Sequence, residues 1–429
     1  MKMKPRKIFP ILYNEKNKAK HTILIGARQV GKTTILRALF EKICKEEGEK
    51  GLFLDIDVYS QYEQVATLDL AINTFKLHGY IEKSSFFVFL DEFQRHEDLS
   101  MLLKNLYDHH PEIKVYATGS SSLMIKDRLQ DSLAGRKFLH LLYPLCFEEY
   151  LMFKGDDLAL SLLQNVPNLQ GNDLHKVVKS LIDHLKDFLI FGSYPEVTLA
   201  SDEHDKIEII KSIFDIYAQK ELIEYLHIKK ILPIKQLITH VAVNNGQKIK
   251  YEEVSQVASL SVKTVKNYLH ILEETFLVKK ISPFFTNKNK EIVKVPKIYF
   301  IDCGVRNFFI QNFAPIHLRQ EAGFLFETFV LGELLKKGMT TDQIKFWQDK
   351  NKNEVDFVID SGSFLLGLEV KWKNLLKKRD FKGLRAFKKN YQQAECFLIN
   401  LGQQIQTDEF QTMLPFSIDY FLDKYLSQR

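Results

Sequence analysis

The chain has 429 residues, 45% of them hydrophobic and 27% charged, with a formal charge of +6. That length is too great for one core and suits about three domains. The composition is that of a globular protein, and the mild positive charge permits nucleic-acid binding without demanding it. No apolar stretch approaches the roughly 18 residues of a membrane span. Four scattered cysteines (Cys44, Cys146, Cys303, Cys396) have neither paired metal spacing nor a disulfide framework, which fits a reducing cytoplasm. The basic start, Met1 to Lys7, is followed by no long apolar region, which argues against a secretory signal.

The apolar run Thr22 to Ile25 leads into Gly26-Ala27-Arg28-Gln29-Val30-Gly31-Lys32-Thr33-Thr34, and then into a helical pattern from Thr34 to Phe40. Two glycines with four residues between them, followed by Lys and Thr, form the phosphate-binding loop pattern. Its glycines let backbone N–H groups fold around a β-phosphate at a helix N-terminus. Lys32 can bridge the β- and γ-phosphates and Thr33 can place its hydroxyl on Mg2+. The expected ligand is ATP. Phe86 to Leu90 is a continuous apolar run, as for a strand buried on both faces, and it ends in Asp91-Glu92. Asp91 can hold the magnesium, and Glu92 can orient and deprotonate the attacking water. A further strand, Lys114 to Ala117, runs into Thr118-Gly119-Ser120-Ser121-Ser122. The alternation of apolar strands and helical patterns from about 20 to 143 predicts an α/β parallel sheet.

With Leu90-Asp91-Glu92-Phe93-Gln94, Leu133-Ala134-Gly135-Arg136, Pro144 to Tyr150 and Gly192-Ser193-Tyr194-Pro195-Glu196 added in order, the chain resembles the prokaryotic AAA-type ATPases that carry a C-terminal domain related to PD-(D/E)xK nucleases. The resemblance implies that Thr118 and Ser120 contact the γ-phosphate and water; the alternative is a hydroxyl-rich turn capping the next helix. It also implies that Arg136, ahead of the strand Phe138 to Leu142, is an arginine finger serving a neighbouring subunit of a homo-oligomer, with Arg128 as the rival and a plain surface Arg as the alternative.

Residues 1–144 read as the ATPase core. Residues 145–228 lack strand alternation, and helical periodicity over Leu174 to Leu189 and Ile207 to Leu226 suits a helical lid over the nucleotide. Over 229–311, helices are expected at Ile234 to Val243, Tyr251 to Ala258 and Val262 to Phe276, the last capped by Ser261. Val278 to Phe285 and Lys297 to Phe300, joined by a polar turn at Asn287 to Lys290, complete a winged-helix domain. Ser261, Lys263, Thr264, Lys266 and Asn267 sit where its recognition helix would meet DNA; winged helices also serve as protein docking modules.

The last segment, 312–429, is expected to hold an amphipathic helix over Gly323 to Leu334, then strands over Asn353 to Ile359 and Phe364 to Lys371. Strand alternation puts Glu354 and Asp356 on one face, and Glu369 with Lys371 together on one face. Asp followed by Glu-x-Lys on the next strand is the signature of the PD-(D/E)xK fold, a restriction-endonuclease-like α/β domain. The likeness implies a second divalent cation on Asp356 and Glu369, with Glu327 as a further ligand and Lys371 polarising water. The alternative is a salt-bridge cluster in a domain that only binds. The basic stretch Lys373, Lys377, Lys378, Arg379, Lys382, Arg385, Lys388 and Lys389 suits a phosphate backbone or simply a solvated face.

Two functions follow from the sequence. The first is a magnesium-dependent ATPase that remodels or processes DNA, with a metal-dependent nuclease site in its last domain. The second is a nucleotide-switched regulatory protein whose C-terminal domains dock a protein.

Overall fold

A computed structural model of the protein describes residues 4–96, 98–120, 133–166, 171–218, 222–223, 231–285, 295–402 and 404–426. Ser121, Arg128 and the expected turn at Asn287 to Lys290 lie outside the described residues. The chain divides into two compact units, residues 1–144 with 274–276, and residues 145–273 with 277–429.

In the first unit, α1 (Ile8–Tyr13) precedes β1 (His21–Gly26), α2 (Lys32–Phe40), β2 (Gly51–Asp55), α3 (Leu68–Leu77), β3 (Phe86–Asp91), α4 (Asp98–His109), β4 (Ile113–Gly119) and β5 (Lys137–Leu142). The five strands form one sheet in the order β2-β3-β4-β1-β5, every pair parallel. β1, β3 and β4 are buried along their whole length. That is why they read as unbroken apolar runs, since helices cover both faces of a parallel sheet. β2 is an edge strand, mostly half-buried, which the sequence reading passed over.

The second unit opens with α5 (Phe147–Lys154), α6 (Asp157–Asn165), α7 (Gly171–Phe191), α8 (Pro195–Leu199) and α9 (Glu203–Tyr217). It continues with α10 (Ile231–Val243), α11 (Tyr251–Val257), α12 (Val262–Glu274) and the antiparallel pair β6 (Val278–Ile281) and β7 (Lys297–Phe300). Ser261 caps α12, its hydroxyl accepting the Thr264 N–H at 3.1 Å. Then come α13 (Cys303–Phe309), α14 (Ala322–Lys336), β8 (Ile344–Gln348), β9 (Glu354–Asp360), β10 (Leu365–Val370), α15 (Lys382–Asn390), β11 (Glu395–Ile399), β12 (Gln411–Met413) and α16 (Ile418–Leu426). Strands β8 to β12 form a mixed sheet in sequence order, antiparallel from β8 to β10 and parallel from β10 to β12.

The two sequence motifs around Pro144 and Gly192 meet within this unit. The Leu145 N–H donates to the Ser193 carbonyl at 2.9 Å. The Ser193 N–H donates to Asp302 Oδ2 at 2.7 Å, and Oδ1 of the same carboxylate caps α13 at Val305. Both motifs thus help hold this unit together.

The expectation of an amphipathic helix over Gly323 to Leu334 is corrected. α14 is buried nearly all round, including Leu325, Phe326, Glu327, Thr328, Phe329, Val330 and Leu331. Phe329 packs edge-on against Phe147 and Phe188 on one side, while Phe326 meets Trp372 on another. A helix apolar on every face is one that other elements enclose. Of its two acids, Glu327 lies in the interior and Glu333 is half-buried.

Candidate functional site

The phosphate loop joins β1 to α2 at the C-terminal edge of the parallel sheet, where ligands bind in open α/β folds. Gly31, the residue before α2, has φ +96°, a left-handed conformation that a side chain strains. Gln29 in the same loop is also left-handed at φ +60°. Lys32 is buried and its ammonium donates to the carbonyls of Gly26 (3.1 Å) and Ala27 (2.9 Å). The loop is braced from behind by Arg6, also buried, which donates to the Val30 carbonyl at 2.7 Å and to the Tyr143 carbonyl at 2.9 Å.

β3 delivers Asp91 beside this loop. Its carboxylate accepts hydrogen bonds from the Thr118 and Thr33 hydroxyls. Burial pushes its carboxyl above the ordinary value; the charges of Glu92 and Asp55 add to the rise, and the two hydroxyls oppose it. A hydroxyl and a buried carboxylate side by side are the donor set of a small hard cation such as Mg2+. Glu92 follows with φ +54°, a strained backbone for a residue with a side chain. Its N–H donates to Thr118 Oγ1 at 3.2 Å. Gln94 donates to the Glu92 carboxylate and to Ser120 Oγ, the latter at 3.0 Å. Thr33, Asp91, Glu92, Thr118 and Ser120, expected from the sequence, are therefore linked by one set of hydrogen bonds.

Three contributors escaped the sequence reading. Asp55, at the end of β2, lies in register with Asp91; the short run Gly51-Leu52-Phe53-Leu54-Asp55 repeats the pattern of apolar strand and terminal acid. Gln94 stands two residues past Glu92, in a turn with no periodic signal. Arg6 lies in a basic stretch that resembles a solvated tail.

Arg136 is elsewhere. Its carbonyl accepts the His21 N–H at the start of β1, at the opposite end of that strand from the phosphate loop. Five residues of strand separate His21 from Gly26, about 17 Å. The guanidinium makes a two-point pair with Asp108 (2.7 and 3.2 Å). Its hydrogen bonds hold the Asp108 carboxyl below the ordinary value. Arg136 therefore has no part in the phosphate site of its own chain.

The second constellation lies in the mixed sheet. β9 and β10 bring Asp356, Glu369 and Lys371 together, and α14 brings Glu327. Lys371 Nζ stands 2.5 Å from Glu369 Oε1 and 3.6 Å from Asp356 Oδ2. Two residues from β7 join them. Lys297 Nζ lies 2.6 Å from Glu354 Oε1 and 3.9 Å from Asp356 Oδ1, and the Tyr299 hydroxyl donates to Glu327 Oε2 at 2.8 Å. Burial, and after it the charge of Asp356, raises both Glu327 and Glu369 above the usual carboxylate range. Burial works against the charge on Lys371, yet Asp356 and Glu369 outweigh it and hold the ammonium above its ordinary value.

All four expected residues are gathered. The acidic oxygens of Glu327, Asp356 and Glu369 nevertheless do not all lie within 4.8 Å of one another, as single-ion ligands would. Lysine ammonium groups stand against them instead. Among the described residues only Asp202, His204 and Asp205 meet that spacing. They are exposed, and capping of α9 by the Asp202 carboxylate explains their proximity.

The basic stretch after Lys371 is largely exposed at Lys377, Lys378, Arg379, Lys382, Arg385 and Lys389. Lys373 is tied to Asp380 at 2.6 Å, and Lys388 to the Ala394 carbonyl at 2.7 Å. Lys263, Lys266 and Asn267 on α12 are exposed too. Among the described residues no helix is long and apolar enough to cross a membrane.

Known proteins extend these observations. Residues 18–151 match the AAA domain, residues 182–315 a domain of unknown function (DUF8612), and residues 322–418 another (DUF4143). An uncharacterized protein of Methanocaldococcus jannaschii is 25% identical over 348 residues, spanning 79% of this chain and 71% of its own length. One of Haemophilus influenzae is 24% identical over 394 residues, spanning 87% of this chain and 90% of its own. A Walker-type ATPase of Pyrococcus abyssi, of known structure, aligns with a TM-score of 0.42 at 16% identity, covering 72% of this chain and 96% of that one. The match at residues 18–151, the all-parallel sheet and the phosphate loop at its edge together make the first unit an AAA-type P-loop ATPase core.

Proposed function

We propose that this protein is a magnesium-dependent ATP hydrolase that binds DNA through its second unit and remodels or processes it. The observation that carries the reading is the linked set Thr33–Asp91–Thr118–Glu92–Gln94–Ser120 beside the phosphate loop. In this reading the backbone from Gly26 to Thr34, with Ala27, Arg28, Gln29 and Val30 between the glycines, cradles the phosphates, and Lys32 exchanges its loop carbonyls for phosphate oxygens. Thr33 and Asp91 would hold Mg2+, which when bound would neutralise phosphate charge. Glu92, fixed by its backbone bond to Thr118 and by Gln94, orients and deprotonates the water. Ser120 and Thr118 set that geometry, and Arg136 serves a neighbouring subunit rather than its own loop.

For DNA, the support is chemical. α10 to α12 with the β6–β7 pair has the element order of a winged helix, with exposed Lys263, Lys266 and Asn267 on its third helix. The exposed basic face of α15 and the turn before it suits a phosphate backbone. The mixed sheet with Asp356, Glu369 and Lys371 has the order of a restriction-endonuclease-like domain. There Glu327, Asp356 and Glu369 would hold a second divalent cation, and Lys371 would polarise water or steady developing charge. The oxygen donors suit such an ion in kind, though they are not gathered to single-ion spacing, and Glu369 Oε2 is buried with no hydrogen-bond partner among the described residues.

A second reading is favoured by one observation. Lys371 and Lys297 already pair with the acids, as in an inert cluster inside a protein-docking domain of a nucleotide switch. ATP turnover measured with and without single-stranded, duplex and branched DNA separates the two. Stimulation by DNA, with binding that weakens steeply as salt rises, is expected. Turnover indifferent to every DNA, with no salt-dependent binding, would select the switch.

A further inference from the structure

The cluster on the mixed sheet contains a lysine that the four-residue signature does not include. Lys297 comes from β7, outside the sheet, and is nearly inaccessible at 4% exposure. Around it and Lys371 stand four carboxylates, from Glu327, Glu354, Asp356 and Glu369. A buried ammonium persists only where opposite charge compensates the loss of water. Burial disfavours the charge on Lys297; Glu327, Asp356 and Glu354 outweigh it and hold the ammonium above its ordinary value.

The two distances from Lys297 differ. It is close to Glu354 (2.6 Å), whose side chain is 29% exposed, and looser against Asp356 (3.9 Å), whose side chain is 8% exposed. The ammonium thus has an outer seat and an inner one. Asp356 is fixed from its other side, its Oδ2 accepting the Val370 N–H at 2.8 Å. Glu369 Oε2, buried and without a hydrogen-bond partner among the described residues, adds unused acceptor capacity. Gly383, opening α15, lies so close that a Cβ there would stand 1.8 Å from the Glu354 carbonyl oxygen and 3.4 Å from Glu369 Oε2. The wall on that side is therefore fixed.

We infer that Lys297 is a tethered counter-cation: seated on Glu354, it supplies at Asp356 the positive charge a divalent cation would bring, and it moves further from Asp356 when the cation enters. This rests on the reading of the cluster as a divalent-cation site, but not on cleavage. An untethered ion must then displace a covalently held ammonium, which weakens its binding until the lysine has somewhere else to go.

Mn2+ binding to the full-length protein, followed by the loss of its free-ion electron paramagnetic signal, tests the inference with two variants of opposite sign. Lys297→Met removes the competitor and should tighten Mn2+ binding at least tenfold. Glu354→Gln removes the outer seat, frees Lys297 to close on Asp356 and should weaken binding severalfold. Glu369→Gln in the Lys297→Met background should cancel the gain. Unchanged affinities, or shifts of the same sign, overturn the inference. So does a Lys297→Met protein that fails to fold even in millimolar Mn2+, because the ion then cannot stand in for the ammonium. Opposite shifts without DNA cleavage would refute the nuclease reading alone, and cleavage with unmoved affinities would refute this inference alone.

Discussion

Thr118 joins both acids of the nucleotide site: its oxygen accepts the Glu92 N–H at 3.2 Å while its own proton goes to Asp91. One hydroxyl on β4 therefore fixes the strained backbone of Glu92 and the rotamer of Asp91. Thr118→Val keeps the shape and removes both bonds. It should lower kcat for ATP about tenfold with a smaller change in nucleotide affinity, whereas Thr118→Ser should stay near the wild type. Steady-state kinetics of the two variants check this; equal kcat for Val and wild type would remove Thr118 from the proposed geometry.

Lys32 and Glu92 should separate binding from chemistry. Lys32→Ala is expected to lose tight ATP binding. Glu92→Gln, close in shape to the wild type, should bind ATP normally and lose turnover by about 100-fold. Nucleotide titration beside phosphate release reads both. Wild-type hydrolysis by Glu92→Gln would mean that another group orients the water.

Arg136 gives a prediction about assembly, because it lies at the far end of β1 from its own loop. A mixture of Arg136→Ala and Lys32→Ala proteins, each inactive alone, should regain part of the ATPase activity, since some interfaces then pair an intact loop with an intact Arg. Full activity in a strictly monomeric wild type would show that the Asp108 pair is all Arg136 does.

His21 predicts a pH dependence of stability. Its ring is buried in the first unit, with Nε2 2.9 Å from the Leu103 carbonyl oxygen and Nδ1 accepting the Val115 N–H at 3.4 Å. Burial pushes its pKa down to about 4. Below its ordinary value of 6.5 the unfolded chain takes up a proton that the folded one refuses, so stability is full above pH 6.5 and falls as pH drops toward 4. The loss from this residue between pH 7 and pH 5 is about 2 kcal/mol. Urea unfolding of wild type and His21→Gln at the two pH values checks it; identical slopes would exclude His21 as the source.

The proposed nuclease chemistry predicts DNA cut with magnesium or manganese and spared with chelator. Asp356→Ala should remove cleavage by deleting a ligand, while Lys371→Ala should remove it and still bind the ion. Both should leave ATP hydrolysis intact, since the residues stand in different compact units. Binding without cleavage across several metals and DNA forms would leave the cluster as scaffolding.

What could be read from the sequence follows physical rules. β1, β3 and β4, the phosphate loop and Asp91-Glu92 were legible because a buried parallel strand is a continuous apolar run and the loop's chemistry demands its spacing; β5, a mostly half-buried edge strand, was legible from its run Phe138 to Leu142, apolar but for His140. β2 escaped because a half-buried edge strand has a diluted pattern, and Asp55 escaped with it. Asp356, Glu369 and Lys371 were legible from strand alternation, and Glu327 only from the resemblance, since it stands on a helix. Lys297, Tyr299, Gln94 and Arg6 were not, since each reaches its place through tertiary packing that no local period encodes. The amphipathic expectation for α14 failed for a similar reason: its outer face is covered by aromatic residues, Phe147 and Phe188, about 140 and more positions earlier in the chain.

The β6–β7 pair also bears on how the chain can be divided. Past β6, the Phe346 N–H donates to the Ser282 carbonyl and the Phe284 N–H donates to the Phe346 carbonyl, so this segment lies as a further strand along β8. A fragment starting at residue 312 would strip that edge bare and leave Lys297 and Tyr299 behind. It would combine an open strand with a cluster of uncompensated acids, which favours aggregation over folding. The two C-terminal segments are therefore best regarded as one structural module: exchanging either alone would require rebuilding both the edge and the charge balance.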